Sequence, residues 1–272
     1  MQKKRIVDLH LHSSASDGIF KPAELFKIVA AAGLSAAALT DHDTVNGLEE
    51  AKTAAIENNL ELVPGVEISV LEDDEEIHIL GYYPRDLNLL QEVLIKVQEE
   101  RRARMERMVD KLNRRGIAVT LEEVKAEAGS AAPGRPHLAR VLQKRKYVHT
   151  TDEAFSLYLH NGGLGYEPRR TLCVREVMDL LKDIKAIPVI AHPGSKAEYL
   201  LDKLLPLGLM GIEVFHPEHG KQLENKLKLL AEKNGLLITG GSDYHGVNRD
   251  HPAYPKQKAI SAVYLEKLQQ FI

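Results

Sequence analysis

Seven short apolar segments, most of them separated by helical patterns, restrict the fold of this 272-residue chain more than any other feature. Short apolar segments between turn signals are typical of buried strands, and their alternation with helices favours a parallel α/β sheet. We predict a distorted seven-stranded TIM-like (β/α) barrel, which would gather the strand ends in one place; an open doubly wound sheet is the alternative. The predicted strands cover residues 5–12, 36–40, 60–69, 76–81, 188–191, 211–215 and 236–239.

A block of helical patterns interrupts this alternation. Residues 87 to about 115 have apolar side chains at three- and four-residue spacing, and shorter helical patterns follow at 121–128, 136–144 and 152–159. A Gly- and Pro-rich stretch then ends the block. We interpret residues 97–170 as an inserted helical lid on a barrel formed by residues 1–96 and 171–272.

Six of the seven predicted strands end in side chains that bind metal ions. Because the active site of an α/β barrel is built at the carboxyl ends of its strands, these side chains should lie together. Two of them, His10 and His12, are also spaced so that both would lie on one face of a strand. Any one member could be a polar cap or a core histidine, but the set favours two or three metal ions. The candidate ligands are His10, His12, Asp17, His42, Glu67, His78, His192, Asp243 and His245.

Composition narrows the chemistry of such a site. The single cysteine, Cys173, excludes an internal disulfide framework and a multi-thiolate zinc site, so the ligands must be His, Asp and Glu. Nitrogen and oxygen ligands suit Mn²⁺, Fe²⁺ or Zn²⁺. The net charge of −3 gives no overall attraction to nucleic acid or anionic membranes, and no segment reaches membrane-spanning length. We therefore expect a cytoplasmic enzyme with no membrane contact.

Other polar residues have simpler interpretations. We expect His149, His160 and His251 on the surface, and His216 and His219 lining the mouth of the barrel or supporting a ligand. Asp8, deeper in the first strand, should orient a histidine ligand. Asp41 and Asp43 should cap the turn that follows them.

Several motifs together resemble the PHP (polymerase and histidinol phosphatase) family. They are Asp8-Leu-His10-x-His12 with Asp17, Thr40-Asp41-His42-Asp43, Gly65-Val66-Glu67-Ile68-Ser69, His78, Ile190-Ala191-His192-Pro193-Gly194 and Gly241-Ser242-Asp243-Tyr244-His245. The resemblance spans almost the whole chain in order. It implies a distorted seven-stranded barrel, a trinuclear metal site and hydrolysis of phosphoesters.

The resemblance also implies ligand sets for three divalent ions, Mn²⁺ first and Fe²⁺ or Zn²⁺ as alternatives. One ion would be held by His10, His12, Glu67 and Asp243, a second by Glu67, His78 and His192, and a third by Asp17, His42 and His245. Glu67 would therefore bridge two ions. A hydroxide held by the ions is the expected nucleophile, and His192 and His245 are alternatives for the acid.

The helical block, with Gly134-Arg135-Pro136-His137-Leu138-Ala139-Arg140, resembles the subfamily that removes the 3′-phosphate from nucleoside 3′,5′-bisphosphates. Some relatives in that subfamily trim RNA from its 5′ end. The resemblance implies substrate contacts from Arg101, Arg135 and His137, whereas three of the four arginines at 101, 102, 104 and 107 should lie on a solvated helix face. Gly163 is a departure, since related sequences tend to have lysine there.

These inferences predict a metal-dependent phosphatase acting on a small nucleotide. The first alternative is a 5′-to-3′ exoribonuclease on short 5′-phosphorylated RNA, and the second is a histidinol-phosphate phosphatase. A PHP scaffold without catalysis would lack ligands, and none of the nine is missing. No obligate protein partner is expected.

Overall fold

The computed structural model of the chain describes residues 5–73, 75–129, 132–168, 172–246 and 254–272. The strands of this described part form an eight-stranded sheet in the order β7-β6-β5-β4-β3-β2-β1-β8. Their bounds are β1 (Ile6–Asp8), β2 (Ala36–Leu39), β3 (Glu61–Glu72), β4 (Glu75–Tyr82), β5 (Ile187–Ile190), β6 (Gly211–Phe215), β7 (Leu237–Gly240) and β8 (Ile260–Ser261).

The sheet curls into a nearly closed barrel. Past the end of β1, the Leu9 amide donates to the Gly240 carbonyl at 3.1 Å, and the His12 amide donates to the Tyr244 carbonyl at 3.0 Å. These bonds join the two flanks of the sheet, so the open alternative is wrong. The predicted strand number is also one short, because β8, two residues that pair antiparallel with the start of β1, is too short to show a sequence pattern.

The prediction of a parallel sheet is wrong for β4, which runs antiparallel to both β3 and β5. No helix separates β3 from β4: Glu72 pairs with Glu75 across a tight turn, and a hairpin joins antiparallel strands. His78 therefore lies in the first half of its strand instead of ending it. The reversal still brings His78 to the end of the barrel where the parallel strands finish, opposite Ser69 of β3.

Side chains alternate between two buried clusters along the strands. Ala36 and Ala38 of β2 pack in a cluster that includes Leu265 and Leu268 near the C-terminus, whereas Ala37 and Leu39 pack against the outer helices. The helices are α1 (Pro22–Ala31), α2 (Leu48–Glu57), α3 (Leu87–Asn113), α4 (Leu121–Ala128), α5 (Arg135–Lys144), α6 (Thr151–Ala154), α7 (Val174–Asp183), α8 (Ala197–Leu204), α9 (Lys221–Asn234) and α10 (Ala262–Gln269). No helix among the described residues is long and apolar enough to cross a membrane.

The helices between β4 and α7 have a hydrophobic cluster of their own. It includes Met105, Met108 and Leu112 of α3, Leu138 of α5, and Leu159 at the end of a π-helical turn that continues α6. The first half of α3 packs elsewhere, because Leu90 and Leu94 belong to the barrel cluster. α3 is thus a continuous connection between the barrel and the helical block.

A substitution at Gly241 tests whether close packing of β1 against the end of β7 stabilises the barrel. A Cβ at this position would lie 2.4 Å from the His10 nitrogen and 2.7 Å from Asp8 Oδ1, closer than packed atoms approach. Gly241→Ala must push β1 away from the end of β7, and we expect it to lower the free energy of unfolding by about 1–3 kcal/mol, measured by urea denaturation.

Gly220→Ala is the matched control, because a Cβ there meets nothing within 4 Å and φ is −68°. Its loss should stay under about 1 kcal/mol, the cost of alanine at a helix N-cap. Equal losses in the two variants would mean that the contact of Gly241 with β1 does not limit closure.

Candidate metal centre

The nine candidate ligands meet at the end of the barrel where its parallel strands finish. His10 and His12 follow β1, Asp17 lies in the loop before α1, His42 follows β2, Glu67 lies within β3, His78 within β4, His192 follows β5, and Asp243 and His245 follow β7. Some bounds differ from prediction: β1 stops at Asp8, and β3 continues past Glu67 to Glu72. Only β6 of the seven predicted strands contributes none of the nine.

The carboxylate of Glu67 is the centre of this arrangement. It is fully buried, and five imidazole nitrogens lie within 3.2 Å of its oxygens. Oε2 faces His10 Nε2 at 3.2 Å, His12 Nε2 at 3.2 Å and His42 Nδ1 at 3.1 Å, whereas Oε1 faces His78 Nδ1 at 2.9 Å and His192 Nε2 at 3.0 Å. The two oxygens thus serve two different sets of histidines, as a bridging ligand would.

In the part of the chain that the structure describes, three groups of side chains have ligand atoms close enough to share an ion. They are His10, His12, Glu67 and Asp243; His42, Glu67 and His78; and His12, Asp17, His42 and His245. The first equals a set implied by the family resemblance. In the second, His42 stands where His192 was expected, although His192 Nε2 is also 3.3 Å from His78 Nδ1. The third contains the expected set with His12 added.

The chemistry of the donor atoms fits divalent metal ions. Among the described residues, five buried atoms of the centre make no hydrogen bond of good geometry, although several lie 3.1–3.2 Å from one another: His10 Nε2, His12 Nδ1 and Nε2, His42 Nδ1 and Glu67 Oε2. Burying polar atoms without partners is costly, and a cation between them would satisfy nitrogen and oxygen lone pairs together. Imidazole with carboxylate suits Mn²⁺, Fe²⁺ and Zn²⁺.

Electrostatics keep the carboxylates ionised. Burial alone would raise the pKa of Glu67, but the protonated imidazoles of His10 and His78 outweigh it and hold that pKa well below its usual range. Burial would also raise the pKa of Asp243, but His10 and His245 outweigh it and hold that pKa well below its usual range. Burial lowers the pKa of His42 to about 3, so its ring is neutral and has a lone pair for an ion. At His78 and His245 the carboxylates outweigh burial and raise the pKa to about 10, so binding an ion there would displace a proton from each ring.

A buried carboxylate that sequence reasoning missed, Glu213 of β6, supports the histidines. Its Oε1 lies 3.0 Å from His10 Nδ1, and its Oε2 accepts the His192 amide at 2.9 Å. Asp8 is buried beneath the ligands, as expected, but it contacts His10 through the backbone and not through the ring, because it accepts the amides of His10, Ser242 and Lys256. A signal was available: Gly-Ile-Glu-Val at 211–214 repeats the Gly-Val-Glu-Ile pattern at 65–68, with a charge inside an apolar strand.

His216 and His219 lie beside the centre, as expected. His216 Nδ1 accepts the Glu218 amide, so its Nε2 carries the proton that faces Asp243 Oδ2 at 3.3 Å. His219 is buried, and its Nδ1 donates to the Val214 carbonyl. His149 and His160 are exposed, as predicted, and His251 lies outside the described residues.

The capping roles expected of Asp41 and Asp43 are wrong. Asp41 accepts hydrogen bonds from the Ser13 amide and hydroxyl and from the Ser16 hydroxyl, so it holds the loop that carries Asp17. Asp43 accepts the Ser69 amide and the guanidinium of Arg101 at 2.7 Å. Both aspartates tie the ligand-bearing segments to their neighbours.

The four arginines of α3 lie in different environments. Arg102 is exposed, and Arg107 pairs with Glu100 and Glu167, whereas Arg104 is buried and donates to the Glu167 carbonyl. Arg104 is thus a structural contact and does not lie on the solvated face. Arg101 lies over the centre, where Asp43 holds it.

Two cavities open on either side of the centre, and Asp17, Pro136 and Phe155 line both. One, of about 350 Å³, has the apolar walls Ile19, Pro136, Phe155 and Pro217, with Arg140, His216 and His245. The other, of about 140 Å³, is lined by His42 and His78 together with Arg101, Arg104 and Arg135.

Two further substrate candidates lie at these cavities or near them. Arg135 Nη2 pairs with Glu76 Oε2 at 2.9 Å, and its guanidinium lies over the Phe155 ring. His137 Nδ1 accepts the Gly134 amide, and burial lowers its pKa to about 4, so the neutral ring carries its proton on Nε2. The two acid candidates, His192 and His245, face Glu67 and Asp17 at 3.0 and 3.2 Å.

Position 163 excludes any side chain. A Cβ on Gly163 would lie 2.5 Å from the Tyr158 carbonyl oxygen and 2.9 Å from that of His160. A lysine cannot occupy this position unless the backbone moves.

Known proteins resemble this chain along nearly its full length. The model of the PHP domain matches residues 8–151. A 5′-3′ exoribonuclease of Haemophilus influenzae is 33% identical, and the match covers 88% of this chain and 89% of the relative. A 3′,5′-nucleoside bisphosphate phosphatase of Chromobacterium violaceum is 32% identical, and the match covers 88% of this chain and 87% of the relative. A structure from Bifidobacterium adolescentis, named a metal-dependent phosphoesterase, superposes with a TM-score of 0.88 at 28% identity, covering 97% and 96% of the two chains.

The position of Glu67 predicts how metal content responds to substitution. We expect protein prepared with excess Mn²⁺ to approach three ions per chain by elemental analysis, and Glu67→Gln to lose more metal than His78→Asn, because Glu67 faces two sets of histidines. His160→Asn, at an exposed histidine, should keep the wild-type content. A maximum of one ion, or equal losses from Glu67→Gln and His78→Asn, would contradict this assignment.

Proposed function

The chain belongs to the PHP domain family and is a metal-dependent phosphoesterase, and on that premise we propose that it removes the 3′-phosphate of nucleoside 3′,5′-bisphosphates to leave 5′-nucleotides. The observation that carries this proposal is a cavity lined by arginines beside the metal centre. The cavity lined by Arg101, Arg104 and Arg135 also contains His42 and His78, both candidate ligands. A substrate with two phosphates could occupy both places at once.

Arginine suits the non-reacting phosphate. The guanidinium of Arg135 has five N–H donors, and pairing with Glu76 through Nη2 leaves most of its fork for a phosphate. His137 can donate its Nε2 proton without carrying a charge. Since Gly163 offers no side chain, Arg135 and Arg101 are the residues to which we assign this phosphate.

The larger cavity suits the nucleoside. Its apolar walls and the Phe155 ring can take a flat, weakly polar group, while Asp17, Asp243 and His245 keep one side next to the metal centre. A nucleoside placed there, with one phosphate among the arginines, would present its other phosphate to the candidate ligands.

We assign the metal ions to His10, His12, Glu67 and Asp243, to Glu67, His78 and His192, and to Asp17, His42 and His245. Bound there, the ions would neutralise phosphoryl charge and bring the pKa of coordinated water toward ~7. In this proposal the metal centre would bind the reacting phosphate, and the arginine cavity would determine which of the two phosphates reacts.

We further propose that residues 97–170 act as the lid over this centre. Gln98 and Arg101 of α3 both bind Asp43, next to the ligand His42, and α5 brings Arg135 and Pro136 to the cavities. The lid would exclude water and complete the phosphate site once a substrate is bound.

The exoribonuclease is the second candidate, because a relative of that name is 33% identical. Its chemistry needs the same two anion sites: a 5′-phosphate held by arginine and a reacting phosphate at the metals. The two functions differ only in whether the reacting phosphate carries another nucleotide. Assaying the metal-loaded protein on adenosine 3′,5′-bisphosphate, a 5′-phosphorylated oligoribonucleotide and histidinol phosphate separates them, and faster hydrolysis of the oligoribonucleotide would overturn our first choice.

Arg135→Ala tests which phosphate this side chain holds. Losing a charge-assisted bond costs about 1.5–3 kcal/mol, so kcat/KM on the bisphosphate should fall by roughly 10- to 150-fold. Activity on a 3′-monophosphate should change little, because it has no 5′-phosphate for Arg135 to bind.

The metal content of Arg135→Ala should stay at the wild-type level. Arg102→Ala removes a charge from the exposed face of α3 and is the control, so its activity on both substrates should match that of the wild type. An equal loss on both substrates would show that Arg135 acts on the reacting phosphate or on lid folding.

A further inference from the structure

Glu213 is a fully buried carboxylate that belongs to none of the three groups with metal-binding geometry. It lies in β6 between Ile212 and Val214, whose side chains pack outward against the helices, so its own side chain points into the barrel. Both oxygens are used: Oε1 contacts His10 Nδ1 at 3.0 Å, and Oε2 accepts the His192 amide at 2.9 Å.

The contact with His10 orients a ring. With its proton on Nδ1 toward Glu213, His10 directs Nε2 to Glu67 Oε2 at 3.2 Å and Asp243 Oδ1 at 3.3 Å. A carboxylate behind a metal-binding histidine fixes the tautomer and makes the ring a stronger ligand.

The contact with His192 holds a strained backbone. His192 has φ of 26°, in the left-handed region that non-glycine residues rarely adopt, immediately after β5. The hydrogen bond from the His192 amide to Glu213 stabilises this conformation, in which His192 Nε2 lies 3.0 Å from Glu67 Oε1.

We propose that Glu213 is a positioning residue that couples two metal sites, because one buried carboxylate holds the ring of His10 and the backbone of His192. The proposal rests on the metal centre assigned above. The first site is His10, His12, Glu67 and Asp243, and the second is Glu67, His78 and His192. None of the contacts described for Glu213 involves Asp17, His42 or His245, the third site.

The coupling follows from the shared side chain. Glu213 cannot move toward one partner without leaving the other, so a change at this residue must reach both sites and spare the third. Loss of such a supporting group weakens metal binding by about 10- to 100-fold.

Stepwise Co²⁺ binding by equilibrium dialysis, followed also by visible absorption, tests this on wild-type protein and Glu213→Gln. Glutamine keeps the shape, but its amide group cannot accept both the His10 proton and the His192 amide. We expect two of the three dissociation constants to rise by about 10- to 100-fold, with changed absorption of the corresponding ions, and the third to keep its wild-type value.

Asp8→Asn is the matched control, since Asp8 is also a fully buried carboxylate, and the backbone amides of His10, Ser242 and Lys256 donate hydrogen bonds to it. It should lower the melting temperature and leave the constant of the second site, Glu67, His78 and His192, unchanged, because none of these three hydrogen bonds involves that site. A merely structural role for Glu213 would give the same result as this control.

Unchanged constants in Glu213→Gln, a change in one constant only, or an equal change in all three would each overturn the coupling. If wild-type protein bound no Co²⁺, the assigned metal centre itself would fail, which is a different result. If Glu213→Gln does not fold, Glu213→Asp replaces it. The shorter side chain cannot reach both partners, so wild-type constants in that variant would also overturn the proposal.

Discussion

The burial of one carboxylate among five imidazoles is the constraint on which this molecule depends. Removing an ionised group such as Glu67 from water costs several kcal/mol unless nearby charges and polar groups compensate. Here the compensation comes from β1, β2, β4 and β5 together, because each places a histidine within 3.2 Å of Glu67. The geometry of the barrel is therefore also the geometry of the metal centre.

The reversed strand β4 shows how closely the barrel and the metal centre are connected. In a regular (β/α) barrel every strand would present its carboxyl end at this mouth. β4 runs the other way, and presents His78 from its first half while still pairing with β3 and β5. The hairpin replaces a crossover helix and supplies Glu76, which contacts both His78 and Arg135. One short element thus joins the metal centre to the proposed phosphate site.

Much of this could be predicted from sequence, because metal ligands at strand ends form a local pattern that folding only has to gather. His10, His12, Glu67 and Asp243 were identified in this way, and their ligand atoms lie together.

The direction of β4 was missed because apolar periodicity does not indicate whether neighbouring strands are parallel. A charge inside an apolar strand marks Glu213 as buried, but its role could not be predicted, because its partners, His10 and the backbone amide of His192, are distant from it in the chain. Asp41 and Asp43 were misassigned because a capping pattern is local, whereas their observed partners are distant in sequence.

Crystals of the Mn²⁺-loaded protein would show whether Glu67 bridges two ions. Anomalous scattering at the manganese edge should give three peaks, with Glu67 Oε1 and Oε2 each about 2.0–2.3 Å from a different ion. Three peaks of which two share the Glu67 carboxylate would agree with the account. A single peak, or two ions that both lack a bond to Glu67, would contradict it.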